Sequence, residues 1–225
     1  MNAKMTGQTM AIQAIIFDLD GVLTDTALYH FRAWKALADE LGIPFTEQDN
    51  EQLKGVDRLN SLRWIAEKGG LMLSANEEER LMAQKNAHYL QLIQHMSAAD
   101  LYPGVQPLFA AIKAKGWKIG LASASKNAAF VLDRLGIAAD FDFVADANQV
   151  KNSKPDPEVF LLAATGLGVA PGHCIGVEDA VAGIEAICAA GMRPVGIGEP
   201  ALLAQASLVV PHIASLSIAQ LQVLV

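Results

Sequence analysis

The chain has 225 residues, of which 52% are hydrophobic and 18% are charged, and its formal net charge at pH 7 is −7. This length supports one large domain or one domain with a small insertion, and the positive mean hydropathy argues against disorder. The acidic balance argues against a nucleic-acid-binding protein, because such proteins normally present a basic surface. No run of 18 apolar residues occurs, so we expect no membrane span.

The termini and cysteines indicate the cellular compartment. The first ten residues, MNAKMTGQTM, lack the apolar run of a signal peptide, so we expect a disordered lead and a cytoplasmic protein. Cys174 and Cys188 have no metal-ligand spacing, and disulfides are rare in the cytosol, so two reduced, buried thiols are expected. Cys188 shares a helical stripe with Val181 and Ile184, and this stripe should face the core.

Short apolar segments alternate with helical patterns along most of the chain, which predicts a parallel β-sheet flanked by helices. The predicted strands are 12–17, 117–122, 142–145, 173–177 and 193–197. They lack in-out alternation, as expected of strands that are covered on both faces. The predicted helices are 105–115, 126–135, 156–167 and 179–190. A final strand and helix should fill 199–225.

One region, residues 27–97, breaks the alternation, because it contains helical patterns and no convincing strand. Two apolar stripes at helical spacing run through it, formed by Phe31, Trp34, Ala38 and Leu41 and by Met82, Tyr89, Leu92 and Met96. The sequence therefore predicts an α/β core made of residues 1–26 and 98–225, with an all-helical domain inserted at 27–97. The two crossings, near 24–27 and 96–102, would be hinges.

Polar side chains follow the ends of four predicted strands. Ligands bind beyond the carboxyl ends of the strands in an open parallel sheet, so these side chains should meet at one edge. They are Asp18 and Asp20 after the first strand, Ser123, Ser125, Lys126 and Asn127 after the second, Asp146 and then Lys154 after the third, and Glu178 and Asp179 after the fourth.

Asp18 and Asp20 share one face of an extended segment, and two buried like charges are costly without a cation. A turn signal in the Asp-Gly pair is the simpler alternative. Mg²⁺ prefers carboxylate oxygens, and Glu178 and Asp179 could join the pair as its ligands unless they are only an acidic helix start. A carboxylate beside Mg²⁺ can attack a phosphoryl group, so Asp18 would be the nucleophile and Asp20 the proton carrier.

Two further residues fit phosphoryl transfer. Ser123 and the backbone N–H groups of the loop ASASKN could hold phosphoryl oxygens, although an ordinary N-cap serine is the alternative. Lys154 could balance the negative charge of the nucleophile and phosphate, although a solvated lysine is the alternative. The predicted catalytic set is Asp18, Asp20, Ser123 and Lys154.

Four segments, DLDGVLTDT, LASASKN, KPDPEVF and GVEDAVAGIEA, resemble in order the motifs of the haloacid dehalogenase superfamily of phosphotransferases. The resemblance covers nearly the whole chain. It implies a Rossmann-like core with a helical cap inserted after the first motif. It also implies that Asp18 is the nucleophile, Asp20 the acid/base and Mg²⁺ the cofactor. An acid at the position of Asp20 separates phosphatases and mutases from the dehalogenases of the superfamily.

The cap segments DTALYHFRAWKALADELGIPF, NEQLKGVDRLNSL and AQKNAHY resemble those of sugar phosphomutases in this superfamily. The resemblance implies that Arg58 grips the phosphate distant from Asp18, whereas the residue alone would be interpreted as a surface charge. It implies that Lys85 contacts the sugar, and the alternative is a lysine snorkelling at an edge. Thr26 and His30 would couple cap closure to the acid/base, and a structural histidine is the alternative for His30.

The predicted substrate-binding residues combine both resemblances. They are Asp20, His30, Trp34, Gly55, Val56, Arg58, Ser61, Lys85, Ser123, Ala124, Ser125, Lys126 and Asn127. Gly55 and Val56 would line the turn beside Arg58, and Ser125 and Asn127 would help to bind the distant phosphate. Trp34 either shields the cleft or fills the cap core, and the sequence does not separate these roles.

The resemblance implies a mutase that interconverts β-D-glucose 1-phosphate and glucose 6-phosphate through an aspartyl phosphate, with glucose 1,6-bisphosphate as intermediate and activator. A sugar-phosphate phosphatase would use the same core residues with water as acceptor, and a non-catalytic sugar-phosphate sensor is a third hypothesis. We expect small sugar phosphates as partners. A cap that must open and close favours a monomer.

Overall fold

The computed structural model describes residues 11–224 and confirms the α/β class. Within these residues a six-stranded sheet has the order β3-β2-β1-β4-β5-β6, and every neighbouring pair is parallel. The strands are β1 Ala14–Phe17, β2 Lys118–Leu121, β3 Phe143–Val144, β4 Cys174–Glu178, β5 Arg193–Ile197 and β6 Leu208–Val210. All five specified strands occur, and β6 is the strand expected after residue 199.

The helices divide into two groups. Those between β1 and β2 are α1 Ala27–Glu40, α2 Glu47–Glu51, α3 Arg58–Lys68, α4 Ala75–Ile93 and α5 Val105–Ala114. Those that follow are α6 Ala128–Leu135, α7 Glu158–Leu167, α8 Val181–Ala189 and α9 Ile218–Gln222. None of the helices in residues 11–224 combines the length and hydropathy that a membrane span needs. The expected disordered lead, residues 1–10, lies outside the described residues.

Both faces of the sheet are covered, which explains the continuous apolar strands. Ile15 and Phe17 of β1 pack into a hydrophobic cluster with residues of α5 and α6. Ala14 and Ile16 point the other way and pack with residues of α7 and α8. Gly176 allows close packing on that second face, because a Cβ there would lie 2.5 Å from Ile187 of α8.

Helices α1 to α4 have a hydrophobic cluster of their own, which includes Trp34, Phe45, Leu62 and Leu81. The C-terminal part of the same buried stripe of α4 packs through Tyr89 and Ile93 into the core cluster. This separate cluster is what an inserted helical cap would require. The bounds 27–97 for the cap and 1–26 with 98–225 for the core stay predictions.

The prediction for Cys188 was wrong in one respect. Both thiols are free, but only Cys174 is buried, whereas Cys188 is exposed. Helix α8 faces the sheet through Gly183, Ile184 and Ile187 and leaves Val181 48% exposed. The reason is steric, because a side chain at position 183 would overlap Glu178, so that glycine must face β4. The inward face is thus rotated away from the stripe that the sequence indicated.

Candidate active site

The register of β1 and β4 brings two carboxylates together. Phe17 pairs with Val177, so Asp18, one residue beyond β1, lies beside Glu178, the last residue of β4. The backbone N–H of Asp18 donates to the carbonyl of Val177 at 2.9 Å, which fixes this arrangement one residue beyond β1. Both carboxylate side chains are buried. They form the floor of a cavity beyond the carboxyl ends of the strands.

Lys154 joins the two carboxylates. Its Nζ donates to Asp18 Oδ1 and to Glu178 Oε1, each at 2.6 Å, and the lysine side chain is fully buried. The other oxygen of Glu178 accepts from the backbone N–H groups of Asp179 and Ala180, each at 2.7 Å. Lys154 is therefore not a solvated lysine. Glu178 is the last residue of β4, and Asp179 lies directly before Ala180, the N-cap of α8.

Burial and mutual repulsion perturb the titration of these groups. Burial raises the pKa of Asp18 to about 6, while Lys154 opposes and Glu178 adds to the rise. Burial and the charge of Asp18 raise the pKa of Asp20 to about 7. Burial, Glu178 and Asp18 raise the pKa of Asp179 well above its ordinary value. Burial alone would lower the pKa of Lys154, but the two carboxylates raise it. The cavity floor thus carries more negative charge than one lysine offsets.

Three of the four predicted metal ligands meet. Asp18, Glu178 and Asp179 each offer a carboxylate oxygen, and these oxygens lie within 4.8 Å of one another. Hard oxygen donors with excess negative charge suit Mg²⁺. Gly21, with a φ of 82°, lies against the Asp179 carboxylate, which a side chain at that position would overlap. Within residues 11–224 the side chain of Asp20 is not part of this oxygen cluster.

The loop at 122–127 is held by short-range hydrogen bonds. Ser123 is fully buried, and its Oγ accepts from the N–H of Ser125 at 3.1 Å. Asn127 is the N-cap of α6, so the N-cap alternative for Ser123 is wrong. Asn127 Nδ2 donates to Asn86 Oδ1 of α4 at 2.8 Å. The loop residues that line the cavity are Ala124, Ser125 and Lys126.

Helix α4 brings Lys85 to the cavity. Lys85 is 3% exposed, which excludes snorkelling, and its Nζ lies 3.0 Å from His30 Nδ1. The ammonium also lies over the rings of Trp34 and Tyr89, at 4.6 and 4.8 Å from their centroids. Burial and the charge of Arg58 lower the pKa of Lys85 to about 7. Burial, followed by Lys85 and Arg58, lowers the pKa of His30 well below its ordinary value.

Helix α3 and the turn before it line the same cavity. Arg58 is the first residue of α3, and Asp57 is its N-cap. Gly55 and Val56 form the preceding turn, where Gly55 has a φ of 75°. Burial lowers the pKa of Arg58. Ser61 is buried and also lines the cavity. Trp34 lines the cavity and also belongs to the hydrophobic cluster of α1 to α4. The two predicted alternatives, shielding the cleft and filling the cap core, therefore both apply.

Four residues of the cavity wall were not predicted from the sequence, namely Asn50, Leu53, Lys54 and Ala180. Lys54 Nζ lies 3.6 Å from Asp179 Oδ2 and 3.0 Å from Glu51, so a second cation stands near the acidic cluster. Its position beside the KGV turn was the available signal.

Four buried side-chain atoms have no hydrogen-bond partner within the described part of the chain. They are Asp20 Oδ1, Thr26 Oγ1, His30 Nε2 and Tyr89 Oη. The rings of His30 and Tyr89 lie 4.2 Å apart, centroid to centroid. Buried polar atoms normally have partners, and two of these four atoms belong to Asp20 and His30, which line the cavity. Thr26, predicted as a hinge residue, is the N-cap of α1.

Replacing Lys85 by methionine should raise the free energy of unfolding more at pH 7 than at pH 9. Native Lys85 has a pKa of about 7 against an ordinary value of 10.5, so the unfolded chain binds more protons between these values. Wild-type stability therefore gains from this group as pH rises through that range, and the variant lacks the gain. Urea unfolding at both pH values measures the difference.

The exposed Lys113, paired with Asp140 far from the cavity, supplies the control Lys113→Met. An equal stability gap between wild type and Lys85→Met at the two pH values would contradict a depressed lysine pKa.

Comparison with known proteins gives a consistent result. A family model described as haloacid dehalogenase-like hydrolase matches residues 12–191. The chain is 45% identical to β-phosphoglucomutase of Bacillus subtilis over 209 residues, which are 92% of this chain and 92% of that protein. It is 33% identical over 185 residues to the phosphorylated carbohydrates phosphatase of Thermotoga maritima, covering 81% of this chain and 83% of that one.

The fold comparison agrees. The crystal structure of β-phosphoglucomutase from Clostridium difficile matches with a TM-score of 0.92 and 48% identity, over 94% of this chain and 96% of that chain. The crystal structure of CbbY from Rhodobacter sphaeroides, at 23% identity and a TM-score of 0.80, shares the fold.

Proposed function

The chain belongs to the haloacid dehalogenase-like hydrolases, and on that premise we propose that it interconverts β-D-glucose 1-phosphate and glucose 6-phosphate. The observation that carries the proposal is the 45% identity to the Bacillus subtilis β-phosphoglucomutase across 92% of both chains. The phosphatase of Thermotoga maritima is less similar, at 33% identity. The cavity supports a mutase, since acidic groups at the edge of the sheet line it together with Arg58 and Lys85 of the helical segment.

The proposed reaction starts with a phosphoryl group on Asp18. The C6 hydroxyl of β-glucose 1-phosphate attacks the phosphorus, its proton passes to Asp20, and the bond to the Asp18 oxygen breaks. The product, β-glucose 1,6-bisphosphate, turns end for end. Asp18 then attacks the C1 phosphate, and Asp20 returns its proton to the departing C1 oxygen, which releases glucose 6-phosphate.

The surroundings of Asp18 and Asp20 match their proposed roles as nucleophile and acid/base. A pKa of about 7 lets Asp20 accept and donate a proton near neutral pH. Lys154 keeps Asp18 oriented through its 2.6 Å hydrogen bond and offsets its charge. Asp18, Glu178 and Asp179 would hold Mg²⁺, which when bound neutralises charge on the phosphoryl oxygens. The N–H groups of the 122–127 loop would hold phosphoryl oxygens at the start of α6.

The helical segment would hold the other end of the sugar. A guanidinium makes two parallel hydrogen bonds with phosphate, so Arg58 is suited to the distant phosphate. Lys85 lines the same cavity, and burial together with the charge of Arg58 lowers the pKa of Lys85. The intermediate carries a phosphate at each end, so two phosphate sites accommodate both of its orientations. All proposed groups come from one chain, which supports the proposal of a monomer.

The direct test supplies β-glucose 1-phosphate with Mg²⁺ and a trace of β-glucose 1,6-bisphosphate, and follows glucose 6-phosphate and free phosphate together. We expect glucose 6-phosphate to account for nearly all substrate consumed. Release of free phosphate without formation of glucose 6-phosphate would contradict the mutase proposal. It would favour a sugar-phosphate phosphatase, the activity named for the relative from Thermotoga maritima.

Within that assay Arg58→Ala should lower the rate of glucose 6-phosphate formation per enzyme roughly 10- to 100-fold, the value of a hydrogen bond to a charged group. Arg63→Ala is the matched control, because Arg63 lies on the same helix but pairs with Glu78 in solvent. If both variants lose the same fraction of the rate of glucose 6-phosphate formation, Arg58 does not bind the distant phosphate.

A further inference from the structure

Asp57 and Ser153 form a contact between the helical segment and the core. Ser153 Oγ donates to Asp57 Oδ2, and the backbone N–H of Asp57 donates to Ser153 Oγ at 3.3 Å. The other oxygen of Asp57 caps α3 by accepting from the N–H groups of Leu59 and Asn60, at 2.9 and 3.1 Å. One carboxylate therefore serves both the start of α3 and the core. We call the Asp57–Ser153 pair the latch.

The latch joins the two proposed phosphate sites through neighbouring residues in the chain. Asp57 directly precedes Arg58, which would hold the distant phosphate. Ser153 directly precedes Lys154, which holds the nucleophile Asp18 at 2.6 Å. If the hydrogen bond between Asp57 and Ser153 lengthens, Arg58 therefore moves relative to the carboxylate of Asp18.

The latch is charged on one side. Burial alone would raise the pKa of Asp57, but the hydrogen bond from Ser153 and those from Asn60 lower it, so the carboxylate is ionised at neutral pH. Hydrogen bonds to an ionised acceptor are about twice as strong as neutral ones. The latch is thus a charge-assisted hydrogen bond that connects the start of α3 to the loop before α7. Its two residues are 96 positions apart in the sequence.

Other contacts across the same gap involve the proposed ligand sites. Lys54 touches Asp179, a proposed metal ligand, and Asn86 touches Asn127 in the proposed phosphate loop. A bound metal or phosphate would compete for these partners. Neither Asp57 nor Ser153 is among the residues that line the cavity, so the latch can persist when substrate is bound.

We propose that Asp57 and Ser153 are positioning residues that hold α3 against the Lys154 loop and thereby favour the sugar hydroxyl over water as acceptor of the phosphoryl group. The inference rests on the proposed function. An aspartyl phosphate is open to hydrolysis, so transfer to sugar requires that the cavity stay closed and Arg58 stay in register. Loss of the latch frees the helix to move away and admits water to Asp18.

Ser153→Ala tests the latch, because it removes the bridging hydroxyl and leaves Asp57 free to cap α3. Ser153→Thr retains a hydroxyl and should restore the wild-type behaviour. The matched control is Ser74→Ala, which removes the N-cap of α4. Among residues 11–224, Ser74 bonds only within its own helix start. Both alanine variants lose a serine hydroxyl, but only one loses a tie to the core.

Two readouts are measured on the full chain. Without substrate, amide hydrogen exchange at the crossings 24–27 and 96–102 should increase roughly fivefold in Ser153→Ala, the value of one ordinary hydrogen bond lost from the closed state. With β-glucose 1-phosphate, KM should rise about five- to tenfold, the value of an ordinary intramolecular hydrogen bond, with a smaller change in kcat. The ratio of free phosphate to glucose 6-phosphate should rise by a similar factor. Ser153→Thr and Ser74→Ala should match wild type.

Unchanged exchange and unchanged KM in Ser153→Ala would overturn the latch. A fall in kcat and thermal stability that Ser153→Thr does not restore would also overturn it, since a general packing defect would then explain the loss. If exchange rises as expected but wild type makes no glucose 6-phosphate, the proposed function fails and the acceptor role fails with it. If Ser153→Ala behaves like wild type and wild type forms glucose 6-phosphate, the latch proposal is wrong but the proposed function still holds.

Discussion

Asp18→Asn is expected to abolish the interconversion, with a loss in kcat of at least ~10⁴-fold, while the protein remains folded. The size follows from removal of the nucleophile, since loss of a nucleophile or its partner in other enzymes costs about this much or more. The amide keeps the shape of the carboxyl but does not attack phosphorus. Folding should survive, because burial raises the pKa of Asp18 to about 6 and a neutral amide avoids that cost. Lys154 retains Glu178 as a partner.

Turnover and thermal unfolding are measured on the same preparations. Asp140→Asn is the matched control, because it removes a carboxylate of the same type from an exposed pair with Lys113. Activity of Asp18→Asn within tenfold of wild type would exclude Asp18 as the nucleophile. Equally negligible turnover of every sugar phosphate by wild type and variant would favour the sugar-phosphate sensor.

Lys154→Met is expected to lower the free energy of unfolding by about 3–5 kcal/mol, the usual cost of breaking a buried ion pair on one side. The lysine side chain is fully buried, and its loss leaves Asp18 and Glu178 facing each other without a cation. At roughly 2–4 °C per kcal/mol for a chain of this size, Tm should fall by about 10 °C.

The same variant provides evidence on metal binding that does not depend on activity. Mg²⁺ should raise Tm more in Lys154→Met than in wild type, because Asp18, Glu178 and Asp179 then lack their cation. Lys113→Met should change Tm little, since its pair with Asp140 is exposed. An equal response to Mg²⁺ in Lys154→Met and wild type, or a Tm as high as that of Lys113→Met, would refute the assignment of Lys154 as the counter-ion.

Most of the fold could be predicted because its signals are local. A strand buried on both faces must be apolar at successive positions, and β1 and β4 meet that condition over Ala14–Phe17 and Cys174–Val177 of the sequence. The glycines and polar residues that follow mark where each strand ends. Since the carboxyl ends of parallel strands share one edge, the meeting of Asp18 with Glu178 followed from the strand assignments alone.

Helix α8 shows where the local pattern was insufficient. Val181, Ile184 and Cys188 fit an inward stripe, yet only Ile184 of the three is buried. The side chain of Glu178 on the neighbouring strand decides the face, because it leaves room for a glycine at position 183 and nothing larger. A helical wheel contains no information about the neighbouring strand, so sequence periodicity did not predict this rotation.

The sequence by itself determined the parallel sheet, the helical insertion, and the residue types needed for phosphoryl transfer, because strand composition and motif order are properties of adjacent residues. Tertiary structure alone decided that Asp20 stands apart from the other three carboxylates, that Lys85 loses affinity for its proton, and that Asp57 meets Ser153. Each of these depends on distances between segments far apart in the chain and on how much water packing removes. Such quantities exist only once the chain has folded.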